Sequence, residues 1–375
     1  MPELTELDVA ALYRQVLWAG FALACLFGAV AQRSHFCTMG ALADIVNMGD
    51  WTRMRMWVMA MGVAVLGFNG MVWLGWLEAG KSIYAAPQLL WASNLLGGLL
   101  FGVGMVLASG CGSKTLVRLG AGNLKSLVVF LVMGLAAFAT MKGITAVLRV
   151  ETVDRLMLPL GAGQDLPSLL AARLGLDARR LALGCGLLFG AVALVWALWR
   201  SEAREGAALL GGLGSGALVL AFWWVSGRLG HVAEDPSTLQ ELFVGSNGQQ
   251  RMEGMSFVAP VANTLDWLLF YSDKSKLLNL GIVSTLGVAC GSMLTALATR
   301  KFRWEGFRNV DDLANHLVGA LLMGVGGVVA LGCTIGQGLS GISTLSLGSF
   351  LALAGIMAGA VLALRWQAAR LERMA

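Results

Sequence analysis

Nine stretches of this chain are apolar for about the length a lipid bilayer requires of a helix: about 13–32, 54–77, 92–110, 123–148, 179–198, 206–226, 277–299, 313–332 and 342–364. A helix rises about 1.5 Å per residue, so roughly 20 residues cross a hydrocarbon core about 30 Å thick. Inside that core every backbone N–H and C=O must bond within the protein, which restricts a spanning chain to helices or a closed barrel. Barrel strands need only about ten residues, so stretches of this length specify helices. Only 13% of the 375 residues are charged, about half the share of a soluble domain. The expected fold class is therefore an all-α polytopic membrane protein, a single membrane domain over 1–375. The first stretch follows an acidic start at Glu3, Glu6 and Asp8. That start has neither the basic region nor the small-residue cleavage site of a removable leader, so the stretch is expected to be a retained span.

Two further pieces are apolar but too short to cross. One is 33–44, with His35, Cys37 and Asp44; the other is 255–263, with Met255, Pro260 and Asn263. Both read as re-entrant half-helices, because irregular backbone at membrane depth persists only inside protein or beside a wet cavity. The order span, half-helix, span, span, span then occurs twice, as repeat one over 13–148 and repeat two over 206–364, with 179–198 as a linker helix. Five crossings separate the two starts. That odd number gives the repeats opposite orientation, an inverted-topology arrangement common in transporters. Lys and Arg are denser on the side that holds Arg300, Lys301, Arg303 and Arg308. The positive-inside rule puts that side and the C-terminus in the cytoplasm and the N-terminus outside.

Within this frame one motif is duplicated. Gly97, Gly102, Gly104, Ala108, Gly110 and Cys111 align without a gap on Gly319, Gly324, Gly326, Ala330, Gly332 and Cys333. In each copy a small-residue helix ends at Gly-Cys and a glycine-rich stretch follows: Gly112-Ser113-Lys114 in one, Thr334 to Gly341 with Gln337 in the other. Paired interrupted helices in corresponding halves point to a transport site. Freed backbone N–H groups and helix N-termini suit an anion. A thiol at both breaks suggests a substrate with sulphur chemistry.

A buried cysteine is often only a small hydrophobe. For Cys111 and Cys333 the matched placement outweighs that reading. Cys37, in the first half-helix, and Cys290, mid-span between glycines, fit either reading; Cys25 and Cys185 on plain spans fit packing. Lys114, three residues after Cys111, is the cation best placed to touch an anion, with Lys142 a weaker case; Arg118 and Lys125 fit topology-setting charges. No C-x-x-C pair occurs; with only three histidines, no H-x-x-x-H pair and widely scattered cysteines, His35 and His316 are expected to be structural and no metal site is expected. No phosphate loop or dinucleotide fingerprint appears, and no basic stripe suits nucleic acid. No cofactor is expected.

At these residues the chain resembles the YeeE/YedE family of sulphur transport proteins. The likeness is carried by His35-Phe36-Cys37-Thr38, by Gly102 to Gly112, and above all by Leu331 to Gly341 followed by Ser343-Thr344-Leu345. The resemblance implies a bacterial inner-membrane importer of thiosulfate, with inward-dipping loops and a row of cysteines that pass the anion by S–H···S hydrogen bonds. Carried over residue by residue, that row holds Cys111 and Cys333, with Cys290 as a third member and Cys37 at an entry or peripheral position. It also implies a separate small cytoplasmic sulphur-carrier protein as partner, in addition to membrane lipid. Some relatives are associated with selenium, so a selenium compound or another inorganic anion is an alternative cargo. A membrane thiol oxidoreductase or sulphurtransferase using Cys111 and Cys333 is the competing enzyme reading, and a subunit whose cysteines only pack is the third.

Overall fold

The computed structural model describes residues 6–372 apart from 237 and 249; the acidic start at Glu3 lies outside the described residues. Among those residues, nine helical segments are long and apolar enough to cross a membrane. They are α1 (Glu6–Ser34), α3 (Thr52–Trp73), α4 (Trp91–Leu107), α6 (Leu124–Lys142), α9 (Ala178–Leu198), a composite segment over 206–229, α13 (Leu280–Ala298), α14 (Val310–Val329) and α15 (Leu347–Glu372). The composite is α10 (Gly206–Leu209) and α11 (Ser215–Trp224), each followed by a π turn. Shorter helices fill the breaks: α2 (Thr38–Met48), α5 (Gly112–Gly120), α7 (Ile144–Glu151), α8 (Leu166–Leu174) and α12 (Ala259–Leu269). The only paired strands among the described residues are two-residue pairs, Gln88–Leu89 with Leu158–Pro159 and His231–Val232 with Leu242–Phe243.

The half-helices expected over 33–44 and 255–263 run instead over Thr38–Met48 and Ala259–Leu269, and three further details differ from the sequence expectation. The fourth span stops at Lys142, where Gly143 turns the chain into α7. The glycine-rich stretches after the two Gly-Cys breaks are helical: α5 after Cys111, and a π turn at Gly336–Gly341 after Cys333. Buried backbone without water bonds best to itself, and a short helix achieves this. The ninth span begins at Leu347 rather than 342, because Leu345 takes a left-handed φ of 57° and breaks the chain there.

Small residues bring the helices together. A Cβ at Gly97 of α4 would lie 2.4 Å from the Ala330 backbone nitrogen, and one at Gly291 of α13 1.9 Å from the Cys25 carbonyl oxygen. Without a hydrophobic drive between helices in lipid, such backbone-to-backbone approach supplies the dispersion energy. The contacts come in matched sets. α4 packs on α14 and α15, and α14 on α4 and α6; α1 packs on α13, and α11 on α3. α2 lies against α3 and α15, and α12 against α13 and α6. By contrast α9 packs only on α3 and α8 to any extent, and Leu188, Val192 and Val195 on it are exposed.

Candidate functional site

Three cysteines share one local geometry. His35, Ser109 and Leu331 take left-handed φ values of 54°, 55° and 58°. Each stands two residues before a cysteine: Cys37, Cys111 and Cys333. A non-glycine residue in that region is uncommon and strained. Here it reverses the chain so that each cysteine starts a short helical turn. Cys37 is the N-cap of α2, and its Sγ accepts from the Gly40 N–H at 3.4 Å. Cys333 Sγ accepts from the Gly336 N–H at 3.4 Å, where the π turn begins. Cys111 is the N-cap of α5, with its Sγ 3.3 Å from Ser113 Oγ. All three are buried.

The three thiols converge. Those of Cys37 and Cys111 meet side chain to side chain, and the Thr334 hydroxyl also faces Cys111. On the other side of Cys333 stands Ser256, its Oγ 4.0 Å from the sulphur. Cys290 is not brought to this group. It lies on α13 next to Cys25, across the α1–α13 contact. The Lys114 ammonium lies within electrostatic range of the Cys37 and Cys111 thiols. It is half-buried, and among the described residues no carboxylate pairs with it. The other cations are committed. Lys125 bonds Asp312 at 2.8 Å, Lys142 lies 3.3 Å from Asp266, and Arg118 donates to the Ser109 carbonyl at 2.7 Å.

The predicted glycines and Gln337 shape the wall. A Cβ at Gly110 would meet Lys114 Cγ at 3.3 Å, one at Gly112 the Phe257 oxygen at 3.2 Å, and one at Gly332 Gln337 Cγ at 3.1 Å. Gln337 is fully bonded: Nε2 donates to the Ala330 carbonyl and Oε1 accepts from Ser349 Oγ, both at 2.6 Å. It braces the end of α14 against the start of α15.

Two cavities lie near this group, toward opposite sets of loops. One, about 340 Å³, is lined by Tyr84, Arg149, Glu253, Ser256, Leu331 and Gly332, from the connections after the second, fourth, sixth and eighth spans. The surface of its wall is mostly apolar, and the one carboxylate on that wall is Glu253, pushed up to about 7 by burial. The other, about 500 Å³, lies among Lys114, Arg118, Lys301, Arg303 and Arg308, with Glu305, Asp312, His35 and His316. The thiols themselves do not line either cavity: Gly332 and Ser256, beside Cys333, line the first, and Lys114 and His35, near Cys111 and Cys37 in the chain, line the second.

The hydroxyls were missed by sequence reasoning. Thr38 and Thr334 are buried without a hydrogen-bond partner, as is Tyr84, whose hydroxyl burial pushes well above its ordinary range. The repeated Cys-Thr of 37–38 and 333–334 was the available signal. Tyr84 and Glu253 sit in connections with no local pattern to mark them. No cluster of three or more metal-ligating side chains occurs among the described residues.

Comparison with known proteins agrees with the resemblance. The chain is 26% identical over 347 residues to the thiosulfate transporter TsuA of Spirochaeta thermophila, covering 90% of this chain and 94% of that protein. It is 28% identical over 335 residues to the thiosulfate transporter TsuA of Escherichia coli K12, covering 86% and 87%. A shorter match, 32% over 94 residues and about a quarter of the chain, is to the probable transporter YedE of Salmonella typhimurium. The family model for sulphur transport matches residues 33–362, most of the chain. With its nine apolar helices and the buried thiols at its helix breaks, the chain belongs to the sulphur transport family, YeeE/YedE.

Proposed function

We propose that this protein imports thiosulfate, or a close sulphur-containing relative, into the cytoplasm. What supports the reading is the placement of the buried thiols of Cys333, Cys111 and Cys37 between a cavity lined by Ser256 and Gly332 and a cationic cavity lined by Lys114 and His35. Thiosulfate is a dianion with one soft terminal sulphur. Thiols are weak donors matched to that sulphur. The unpartnered hydroxyls of Thr38, Thr334 and Tyr84 and the Lys114 ammonium suit its oxygens. Successive loose contacts let an anion bind well enough to enter and weakly enough to leave. The names of the two long relatives support the same cargo. In this reading Cys290 packs beside Cys25, and a separate sulphur-carrier protein receives cargo at the cationic mouth.

The orientation follows from charge. The cavity with Lys301, Arg303 and Arg308 opens to the cytoplasm of a bacterial inner membrane, and the N-terminus lies outside. Two inverted repeats, 13–148 and 206–364 around the linker 179–198, account for the matched contacts. Exchanging α1, α3, α4 and α6 for the composite segment, α13, α14 and α15 reproduces each set.

Uptake of labelled thiosulfate by cells that lack other routes tests the cargo. Expression in the membrane without uptake would overturn it. A second reading rests on the contact between Cys37 and Cys111: an oxidoreductase or sulphurtransferase would carry sulphur covalently there. Intact-protein mass after thiosulfate exposure separates the two, since relay by hydrogen bonds adds no mass.

A further inference from the structure

Glu253 is the one carboxylate on the wall of the 340 Å³ cavity that leads to Cys333. Its placement is fixed at both ends. Its backbone N–H donates to Ser226 Oγ at 2.7 Å, and its Oε1 accepts from the Asn247 N–H at 2.8 Å. Among the described residues that is the only hydrogen bond its carboxyl makes, and no cation pairs with it. The neighbouring charges are all engaged elsewhere. Arg149, from α7, lies on the same wall with its Nε 2.9 Å from Asp154 Oδ2. Arg251, on the same segment, turns to the Ser82 carbonyl at 3.4 Å. Lys81, whose connection pairs with Met252, is held by Glu78 and Glu241, and Glu241 also holds His231. Arg228, on the π turn that carries Ser226, is exposed. The remaining titratable groups facing the cavity are the Tyr84 hydroxyl and, behind Gly332, Cys333.

A carboxylate on the wall of an apolar entry is a barrier to a dianion, because two like charges in a poorly solvated space repel more strongly than in water. A neutral carboxyl in the same place has one O–H to donate. We propose that Glu253 is a protonation gate for the transported anion, open when its carboxyl carries a proton and closed when it is ionised. The inference rests on the reading of this cavity as the outer entry of a sulphur-anion importer. In the open form the O–H donates to an oxygen of the entering anion, alongside Tyr84 and Ser256. The proton comes from the outer solution and stays on the carboxyl while the anion is held; no covalent bond changes. As the anion passes Cys333, the carboxyl re-equilibrates with the outside.

The sign follows from which form is open. Burial favours the neutral acid, so the gate is open below its titration point of about 7 and closes above it. Labelled thiosulfate uptake should fall about tenfold as external pH rises from about 6 to about 8, the change in protonated fraction across such a titration. E253Q, which keeps an uncharged donor, should lose that slope. A parent that is flat with pH, or an E253Q protein that keeps the parent's slope, overturns the gate. An independent readout is the infrared carbonyl stretch of a protonated carboxyl in the purified protein. It should disappear through the same pH range and be absent from E253Q. A Glu253 that stays ionised throughout refutes the proposal even if uptake is intact. Absence of uptake in both proteins at every pH refutes the cargo instead, and the infrared titration still decides whether this carboxyl changes charge where the gate requires.

Discussion

Replacing Cys111 with alanine tests the thiol path at its centre. Cys111 is 1% exposed, and its Sγ lies 3.3 Å from Ser113 Oγ and against the thiol of Cys37 and the hydroxyl of Thr334. The substitution removes one sulphur and leaves Cβ, so the backbone turn and the start of α5 are untouched. Ser113 loses a weak partner, which costs stability about 1 kcal/mol. The effect on a passing anion is larger. It has left water to reach this layer, and its soft sulphur now finds a methyl where a donor stood. An unmade bond to a charged group costs about 1–3 kcal/mol, a factor of roughly 5–150 in affinity for that step. Uptake by C111A, normalised to protein in the membrane, should therefore fall at least about fivefold. C111S should lie between the two, since a hydroxyl donates but is shorter and harder than a thiol. Parent-level uptake in well-expressed C111A refutes the relay and leaves the cysteines as packing groups.

Among the described residues, Lys114 of the cationic cavity lies within electrostatic range of the Cys37 and Cys111 thiols and pairs with no carboxylate. K114Q should raise the concentration for half-maximal uptake about tenfold or more, from loss of a charge-assisted bond worth about 1.5–3 kcal/mol. K114R should restore part of it, and equal half-saturation in parent and K114Q removes Lys114 from the path. Q337L strands the Ala330 carbonyl and Ser349 hydroxyl, so thermal unfolding in detergent should drop by the equivalent of about 2 kcal/mol or more; an unchanged midpoint shows that water replaces the amide. Reporter fusions should place the N-terminus outside and the C-terminus in the cytoplasm. Both ends on one side would remove the inverted arrangement.

What the sequence made legible was set by the range of the interactions. The nine spans declare themselves because each is a local run of apolar residues. The start of each half-helix was less clear, because the chain enters α2 through an extended Cys37 and α12 through Val258, and neither is marked by composition. The π turns of 210–214, 225–229 and 336–341 depend on packing against other helices and leave no local sign. The cationic cavity joins Lys114 and Arg118 to Arg303 and Arg308 from the other half of the chain, a meeting that only the fold produces. Glu253 and Tyr84 reach one wall from separate connections for the same reason.

The site also shows why the duplicated motif told only part of its own story. Gly-Cys at 110–111 and 332–333 is a sequence repeat, yet the left-handed residue two positions before the cysteine recurs a third time at His35, where the neighbouring residues differ. What is shared there is a backbone path, and a backbone path can be reached from several sequences. The helix starts near the centre then number four by position: Cys37, Cys111, Val258 and Cys333. Three carry a thiol. The fourth is fully buried, and a Cβ on Gly327 would lie 2.7 Å from Val258 Cγ2, so the α14 backbone fills the space a substrate would need. If the two halves are inverted repeats as proposed, they would hold an unmatched set of sulphurs, two thiols toward the cationic cavity and one toward Glu253. In the proposed reading, an anion coming from the Glu253 side would meet a single thiol first and a pair second, with Lys114, which no carboxylate pairs among the described residues, on the cationic side.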